Sequence, residues 1–467
     1  MSDSAASVGS AAPAAGLRSR PERDAPRVRR DGGTLVLPGI ATAHSHAFQR
    51  ALRARTQRLR GTAGATADAT GGGTSFWSWR GLMYALAERL TPEDLYDLSH
   101  FAFVELALSG VTAVGEFHYL HHQPGGAPYA DRTLLAETVI RAARDAGLRI
   151  VLLRVAYARA GFGRALEGPQ RRFRDLDPDD VLRDVETLRA RHAADPQVSI
   201  GLAPHSVRAV PRAWLGPLAA HARAHALPLH AHVSEQRREV QECLAEHGLR
   251  PVELLAAEGA LGDRLVAVHA THLTDSEARL LGAASASVCV CRTTERDLGD
   301  GAPALGRLRG AGARLCVGVD SHAASDPFEE ARAMELDERT RVEARQVALG
   351  APELLRALGA NGYAALGLRG LEAEDEVRLE AADPAFAGAL AESAARGDRA
   401  GDGAARGERE GEDDGQLDEA VAWCATARAV REVRVAGRPI VEGGVHPAAG
   451  RARERFDAAV ARLLRGG

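Results

Sequence analysis

Six residues suited to binding a metal or carrying a proton stand late in short apolar runs: His44, His46, His232, Glu235, His269 and Asp320. Imidazole nitrogens and carboxylate oxygens are the donors of a hydrolytic zinc site, and a free carboxylate beside them can move protons. In segment 36–46, VLPGIATAHSH, the two histidines stand at i and i+2. In an extended strand both then face one side and Ser45 the other. Segment 226–235, ALPLHAHVSE, puts His230 and His232 on one strand face, so spacing alone leaves either as a ligand. Glu235 falls where that strand gives way to a loop or helix, within reach of an attacking water, and is the candidate proton shuttle. Run 264–272, RLVAVHATH, delivers His269 inward with His272 nearer the rim. Run 314–323, RLCVGVDSHA, delivers Asp320, a carboxylate costly to bury unless paired, hydrogen-bonded or bound to metal.

Strands that each end in such residues imply one rim of a parallel barrel. Apolar runs near 35–43, 111–117, 149–156, 197–203, 226–233, 264–270, 286–291 and 314–319 provide eight strands, separated by Ala/Leu/Arg/Glu-rich helical segments. The expected fold is therefore an α/β TIM (β/α)8 barrel over residues 34–370. Residues 1–33 are low-complexity and read as a disordered tail. Residues 53–75, rich in Gly, Thr and Arg, form a long first loop on the functional rim. Residues 371–395 and 417–448 hold a few alternating strands and read as a small β domain, with a disordered loop at 396–416 and a C-terminal helix over 449–467.

Composition narrows the chemistry. The chain has no lysine, so all 59 Lys+Arg residues are arginines. This excludes a two-metal centre bridged by carbamylated lysine, Schiff-base catalysis and a phosphate-loop lysine. What remains is a single metal that acidifies water. A net charge of −4 with interspersed acids and arginines offers no polybasic face for nucleic acid. No apolar stretch is long enough to span a membrane. Five cysteines, Cys243, Cys289, Cys291, Cys316 and Cys424, lie mostly in apolar runs, the usage of a reduced cytoplasmic protein. The Cys289–Cys291 pair reads as core rather than metal site.

The motifs AHSHAFQR (43–50), FWSWR (76–80), GEFHYLHH (115–122), APHSVR (203–208), HAHVSEQ (230–236), HATH (269–272), TTERDLGDG (293–301) and GVDSH (318–322) together resemble the amidohydrolase superfamily. Within it the chain is similar to the formimidoylglutamate deiminases, which convert N-formimidoyl-L-glutamate and water to N-formyl-L-glutamate and ammonia. The resemblance implies that His44, His46, His232 and Asp320 bind one zinc ion per subunit, with iron(II) also compatible with the donors. It chooses His232 over His230. It implies that Asp320 accepts a proton from the water, that Glu235 carries it to the imino and then the departing nitrogen, and that His269 orients or polarises the water and intermediate. Gln49 would meet the formimidoyl group, and Arg80, Tyr119, His205 and Arg208 the glutamate carboxylates. A small-molecule dicarboxylate is thus the expected partner, and a homodimer the expected assembly.

Members of the superfamily usually place several β-sandwich strands before the first barrel strand, where this chain has its Ala/Ser-rich tail. The segment EDEVRLE (374–380) stands where an apolar strand is expected, with Glu and Arg at interior positions that would weaken it. The small domain is accordingly expected to be reduced. Other readings are a zinc aminohydrolase acting on a ring, which would want an aromatic or amide-lined pocket, and an impaired metal-binding homologue. Two arginines, Arg80 and Arg208, point instead to a carboxylate-bearing substrate.

Overall fold

The computed structural model describes residues 28–57, 76–390 and 406–465. The expected tail up to residue 27, residues 58–75 of the first loop and residues 396–405 lie outside them. In chain order the strands are β1 (Arg29–Asp31), β2 (Thr34–Pro38), β3 (Ile40–Ser45), β4 (Val111–His118), β5 (Arg149–Ala156), β6 (Val198–Pro204), β7 (Leu229–Val233), β8 (Leu265–His269), β9 (Ser287–Val290), β10 (Arg314–Val317), β11 (Glu376–Glu380), β12 (Val430–Val435) and β13 (Arg438–Val441).

β3 to β10 form one eight-stranded parallel sheet in sequence order. Every residue of β3, β4, β5, β7, β8 and β9 is buried, as parallel strands covered on both faces require. The covering helices are amphipathic. The helix Leu134–Asp145, for example, buries Leu135, Val139 and Ala142 at helical spacing. The barrel closes between β10 and β3: Ser45 bridges Asp320 in parallel register, the Val319 N–H donates to the His44 carbonyl at 3.0 Å, and the His46 N–H donates to the Asp320 carbonyl at 2.9 Å. The seam that shuts the barrel thus carries three of the expected metal ligands.

The apolar run 35–43 is two strands. Pro38 has no N–H to give a ladder, and a Cβ on Gly39 would lie 2.8 Å from the Asp375 Cβ, so the chain passes from sheet to sheet there. The leading half, β2, joins an antiparallel sheet of order β1-β2-β11-β12-β13. Arg29–Asp31, assigned to the tail from composition, pair with β2 in this sheet. β11 corrects a second expectation. Val377 and Leu379 are fully buried while Glu376, Arg378 and Glu380 alternate onto the other, half-exposed face. There Arg378 reaches Asp31 at 2.9 Å and Arg29 reaches Glu376 at 2.7 Å. The charges do not occupy interior positions, because one face of this sheet is covered and the other is wet. The helix Arg406–Cys424 takes in the end of the stretch expected to be a loop, and Leu417, Ala420 and Val421 anchor its last turns in the core. A buried pair joins the two sheets: the Arg149 Nε of β5 lies 2.8 Å from Asp375, whose other oxygen accepts the Ala436 N–H at 2.7 Å.

β4 passes so close to β3 that its Gly115 has no room for a side chain: a Cβ would sit 2.5 Å from the Ala43 carbonyl oxygen and 2.5 Å from the Leu366 Cδ2. Gly115→Ala is expected to cost about 1–3 kcal/mol in chemical denaturation. Because Ala43 precedes His44, the variant should also bind metal more weakly. Unchanged stability would refute the packing argument.

Candidate active site

Four side chains converge at the C-terminal rim. The His44 Nε2 lies 3.1 Å from the His232 Nε2, and the Asp320 Oδ1 lies 3.4 Å from the His44 Nε2 and 3.3 Å from the His46 Nε2. One donor atom from each of the four falls within 4.8 Å of every other. Backbone carbonyls fix the rings: the His46 Nδ1 donates to Phe117 O and the His232 Nδ1 to His205 O, each at 3.1 Å. A carbonyl can only accept, so the proton sits on Nδ1 and the Nε2 lone pairs of both rings face inward. Burial, then the neighbouring His44, pulls the His46 pKa down to about 3, and burial holds His44 and His232 well below the ordinary value. Neutral imidazoles whose lone pairs crowd a buried carboxylate form a cation cage, and the donor set is that of a catalytic zinc ion. His230, left open by spacing, is fully buried and reaches the Ala365 carbonyl at 3.1 Å. It shares the strand face with His232 but lies one layer deeper.

The strand ends turn sharply to aim these groups. His269, Ser234 and Asp320 adopt left-handed φ of 70°, 51° and 46°. For residues with a side chain this costs about 1–3 kcal/mol each and persists where surroundings enforce it. The His269 Nδ1 bonds Glu295 at 3.2 Å, and its Nε2 faces Glu235 at 3.8 Å and Asp320 at 3.9 Å. Burial alone would discharge this ring, but Glu235, Glu295 and Asp320 outweigh it and push its pKa up to about 10. The surrounding carboxylates thus favour the protonated form of His269 beside the cage. Glu235 is fully enclosed; burial would raise its pKa, yet the Arg208 guanidinium 2.7 Å away holds it below the ordinary value.

Above the cage is a cavity lined by His46, Gln49, Arg80, Tyr119, His205, Arg208, His232, Glu235, His269 and Asp320. Of the residues expected at the site only His44 is absent from this lining, being fully buried in the cage. The two arginines are not equivalent. Arg208 already serves Glu235 and, at 2.9 Å, Glu239. Arg80 stacks on Trp77 at 4.3 Å and Tyr84 at 5.5 Å and has no carboxylate partner among the described residues. The Gln49 Nε2 donates to the Tyr119 hydroxyl at 2.7 Å, leaving a buried Gln49 Oε1 without a partner. His205 is neutral, its pKa lowered by burial and then by Arg208.

Three anchoring carboxylates went unassigned in the sequence. Glu295 fixes His269 and accepts the Cys291 N–H at 3.0 Å. Glu239 holds Arg208 and accepts the N–H groups of Ser234 and Glu235 at 3.3 Å. Glu116 accepts the Ser45 hydroxyl at 2.6 Å and the Ala47 N–H at 2.9 Å, clamping the turn through the histidine pair. Glu239 carries a readable signal, standing one helical turn after Glu235. Glu295 sits inside a quoted motif without a stated role.

A buried three-histidine, one-carboxylate cage on the C-terminal rim of a parallel eight-stranded barrel, with a further carboxylate and imidazole beside it, defines a metal-dependent hydrolase. Residues 35–371 match the Amidohydrolase family, and the chain belongs to that family. It is 35% identical to a formimidoylglutamate deiminase of Pseudomonas aeruginosa over 95% of this chain and 93% of that protein. It is also 30% identical to an 8-oxoguanine deaminase of the same organism, over 71% of this chain and 70% of that one. Among solved structures, an amidohydrolase from Brucella melitensis superposes with a TM-score of 0.78 at 31% identity, covering 94% of this chain and 95% of its own.

Proposed function

We propose that this enzyme hydrolyses N-formimidoyl-L-glutamate to N-formyl-L-glutamate and ammonia. The observation that carries the reading is Arg80, a guanidinium at the cavity wall that makes no direct ion pair with a carboxylate among the described residues. A substrate that ends in carboxylates supplies what it lacks. The named Pseudomonas relative supports the same reaction.

His44, His46, His232 and Asp320 would hold one zinc or iron(II) ion, which when bound acidifies the hydrolytic water and polarises the amidine carbon. Asp320 accepts a proton from the attacking water. Glu235, kept ionised by Arg208, carries a proton to the imino nitrogen and then to the nitrogen that leaves as ammonia. His269 orients the water and stabilises negative charge developing on the tetrahedral carbon's oxygen. The unpartnered Gln49 Oε1 accepts an N–H of the formimidoyl group. Arg80 binds the glutamate carboxylates with Tyr119 and His205. Arg208 shares its charge between the substrate and Glu235.

A second reading has an observation behind it. Phe76, Trp79, Tyr84, Tyr157 and Phe173 wall the cavity with rings on which a heterocycle would stack. Ammonia release from N-formimidoyl-L-glutamate, N-formimidoyl-L-aspartate, guanine and 8-oxoguanine separates the two. Turnover of the glutamate derivative alone or best supports the deiminase, while faster turnover of either purine replaces it with a ring-directed enzyme. The aspartate derivative, one methylene shorter, should lose about 10–200-fold in kcat/KM. Arg80→Met removes a charge-assisted contact of about 1.5–3 kcal/mol. It should raise KM by about 10–150-fold at 1.4 kcal/mol per decade, with little change in kcat. An unaltered KM would rule out Arg80 as the anion site.

A further inference from the structure

Away from the catalytic rim, two adjacent outer helices bring together a second set of metal donors. Glu186 lies on the helix Pro178–His192; His221 lies on the helix Arg212–Ala224, and His225 caps that helix's C-terminus. The two imidazoles are four residues apart on one helical face, with ring centroids 4.4 Å apart. The His221 Nε2 lies 2.9 Å from the Glu186 Oε1. One donor atom from each of the three falls within 4.8 Å of the others. From this geometry we infer a second, independent metal site at Glu186, His221 and His225, selective for borderline transition ions such as zinc, nickel or copper.

Two imidazoles and one carboxylate match the ligands of an open zinc site, which keeps its remaining position for water. Imidazole donors disfavour calcium and magnesium, which want oxygen shells. Both helices are packed elements of the barrel wall, with Val185, Leu188, Leu215 and Leu218 buried beneath them, so ligation requires rotamer adjustment and no backbone ordering. The backbone supports the histidine pair, since the His225 N–H donates to the His221 carbonyl at 3.1 Å. One group opposes binding. The Arg189 Nη1 contacts both Glu186 oxygens, at 2.7 and 2.9 Å, and so competes for the carboxylate and adds positive charge beside the ion.

Position separates this site from catalysis. His225 lies just before β7 begins at Leu229, at the end of the barrel opposite the strand ends that carry His232 and Asp320. An ion there ties two neighbouring βα units together without reaching substrate. Its signature is stabilisation without a change in turnover.

The test is a zinc titration of the zinc-loaded enzyme against a chromophoric chelator, with melting temperature and kcat recorded at each point. Wild type should bind one further zinc more weakly than the first and melt higher as it does so, at constant kcat. His221→Ala/His225→Ala should bind only the first zinc, with no rise in melting temperature and wild-type kcat. Glu186→Gln, a milder change, should weaken the second zinc severalfold. Arg189→Ala should tighten it severalfold, an effect that simple loss of a surface ion pair does not produce. A double variant that still takes up the second zinc, or an Arg189→Ala protein that binds it no better than wild type, would overturn the assignment.

Discussion

Glu235→Gln should lower kcat by about two to four orders of magnitude while KM stays within a few-fold of wild type and zinc content is unchanged. The substitution preserves shape, and its amide oxygen can still accept from the Arg208 Nη2 that lies 2.7 Å from the native carboxylate. It removes the ability to take up and return a proton at this position. Arg208 stays bound to Glu239, and the His269 ring is held by its bond to Glu295, with the carboxylates around it raising its pKa. The loss also reaches His269, because Glu235 is the largest of the groups that raise its pKa. The variant therefore removes the proposed proton carrier and lowers the tendency of His269 to hold its proton, so the decline belongs in kcat. Steady-state kinetics with metal analysis decides the matter: a rise in KM at constant kcat would make Glu235 a binding residue and remove the proposed shuttle.

The barrel was readable because each parallel strand is buried on both faces and so appears as an unbroken apolar run, and the residues with chemistry fall at the ends of those runs. The same logic could not separate β2 from β3, since both halves of 35–43 are apolar and only the Pro38–Gly39 break marks the change of sheet. Depth along a strand was hidden as well. His230 and His232 share a face, and two residues of rise, about 6.6 Å, place one in the packed barrel interior and the other at the rim. β11 misled in the other direction, because its charges were read without knowing that one face of the small sheet is wet. Side-chain pairing across elements is what a single sequence conceals. Arg80 and Arg208 look alike in the chain, and only the fold pairs Arg208 directly with two glutamates while Arg80 makes no direct ion pair among the described residues. Glu116, Glu239 and Glu295 orient their partners from 4 to 71 residues away, without a periodic pattern to announce it.

Removing the catalytic metal with a chelator should abolish activity and also loosen the seam that closes the barrel. Asp320 is enclosed, and its closest charged or chargeable neighbours are histidines, two of them held neutral by their own burial. Without a cation, the His46 and His232 Nε2 atoms and the Asp320 carboxylate crowd one another with no metal to share. The backbone at His269 and Asp320 is held in left-handed conformations that relax once nothing holds them. Ligation at a hundredfold above the dissociation constant stabilises the fold by about 2.7 kcal/mol, which the apo protein forfeits. The seam bonds from the His46 N–H to the Asp320 carbonyl and from the Val319 N–H to the His44 carbonyl run directly between ligand-bearing segments. Amide exchange at His46 and Val319 should therefore accelerate on chelation, while the wholly buried β5 stays protected. Zinc should restore both activity and protection in wild type. In Asp320→Ala it should restore neither, because that variant lacks a ligand and the proposed acceptor of the water's proton together. A chelated enzyme with native exchange across 44–46 and 319–320 would show that the cage is rigid without its ion, and that the cation contributes chemistry alone.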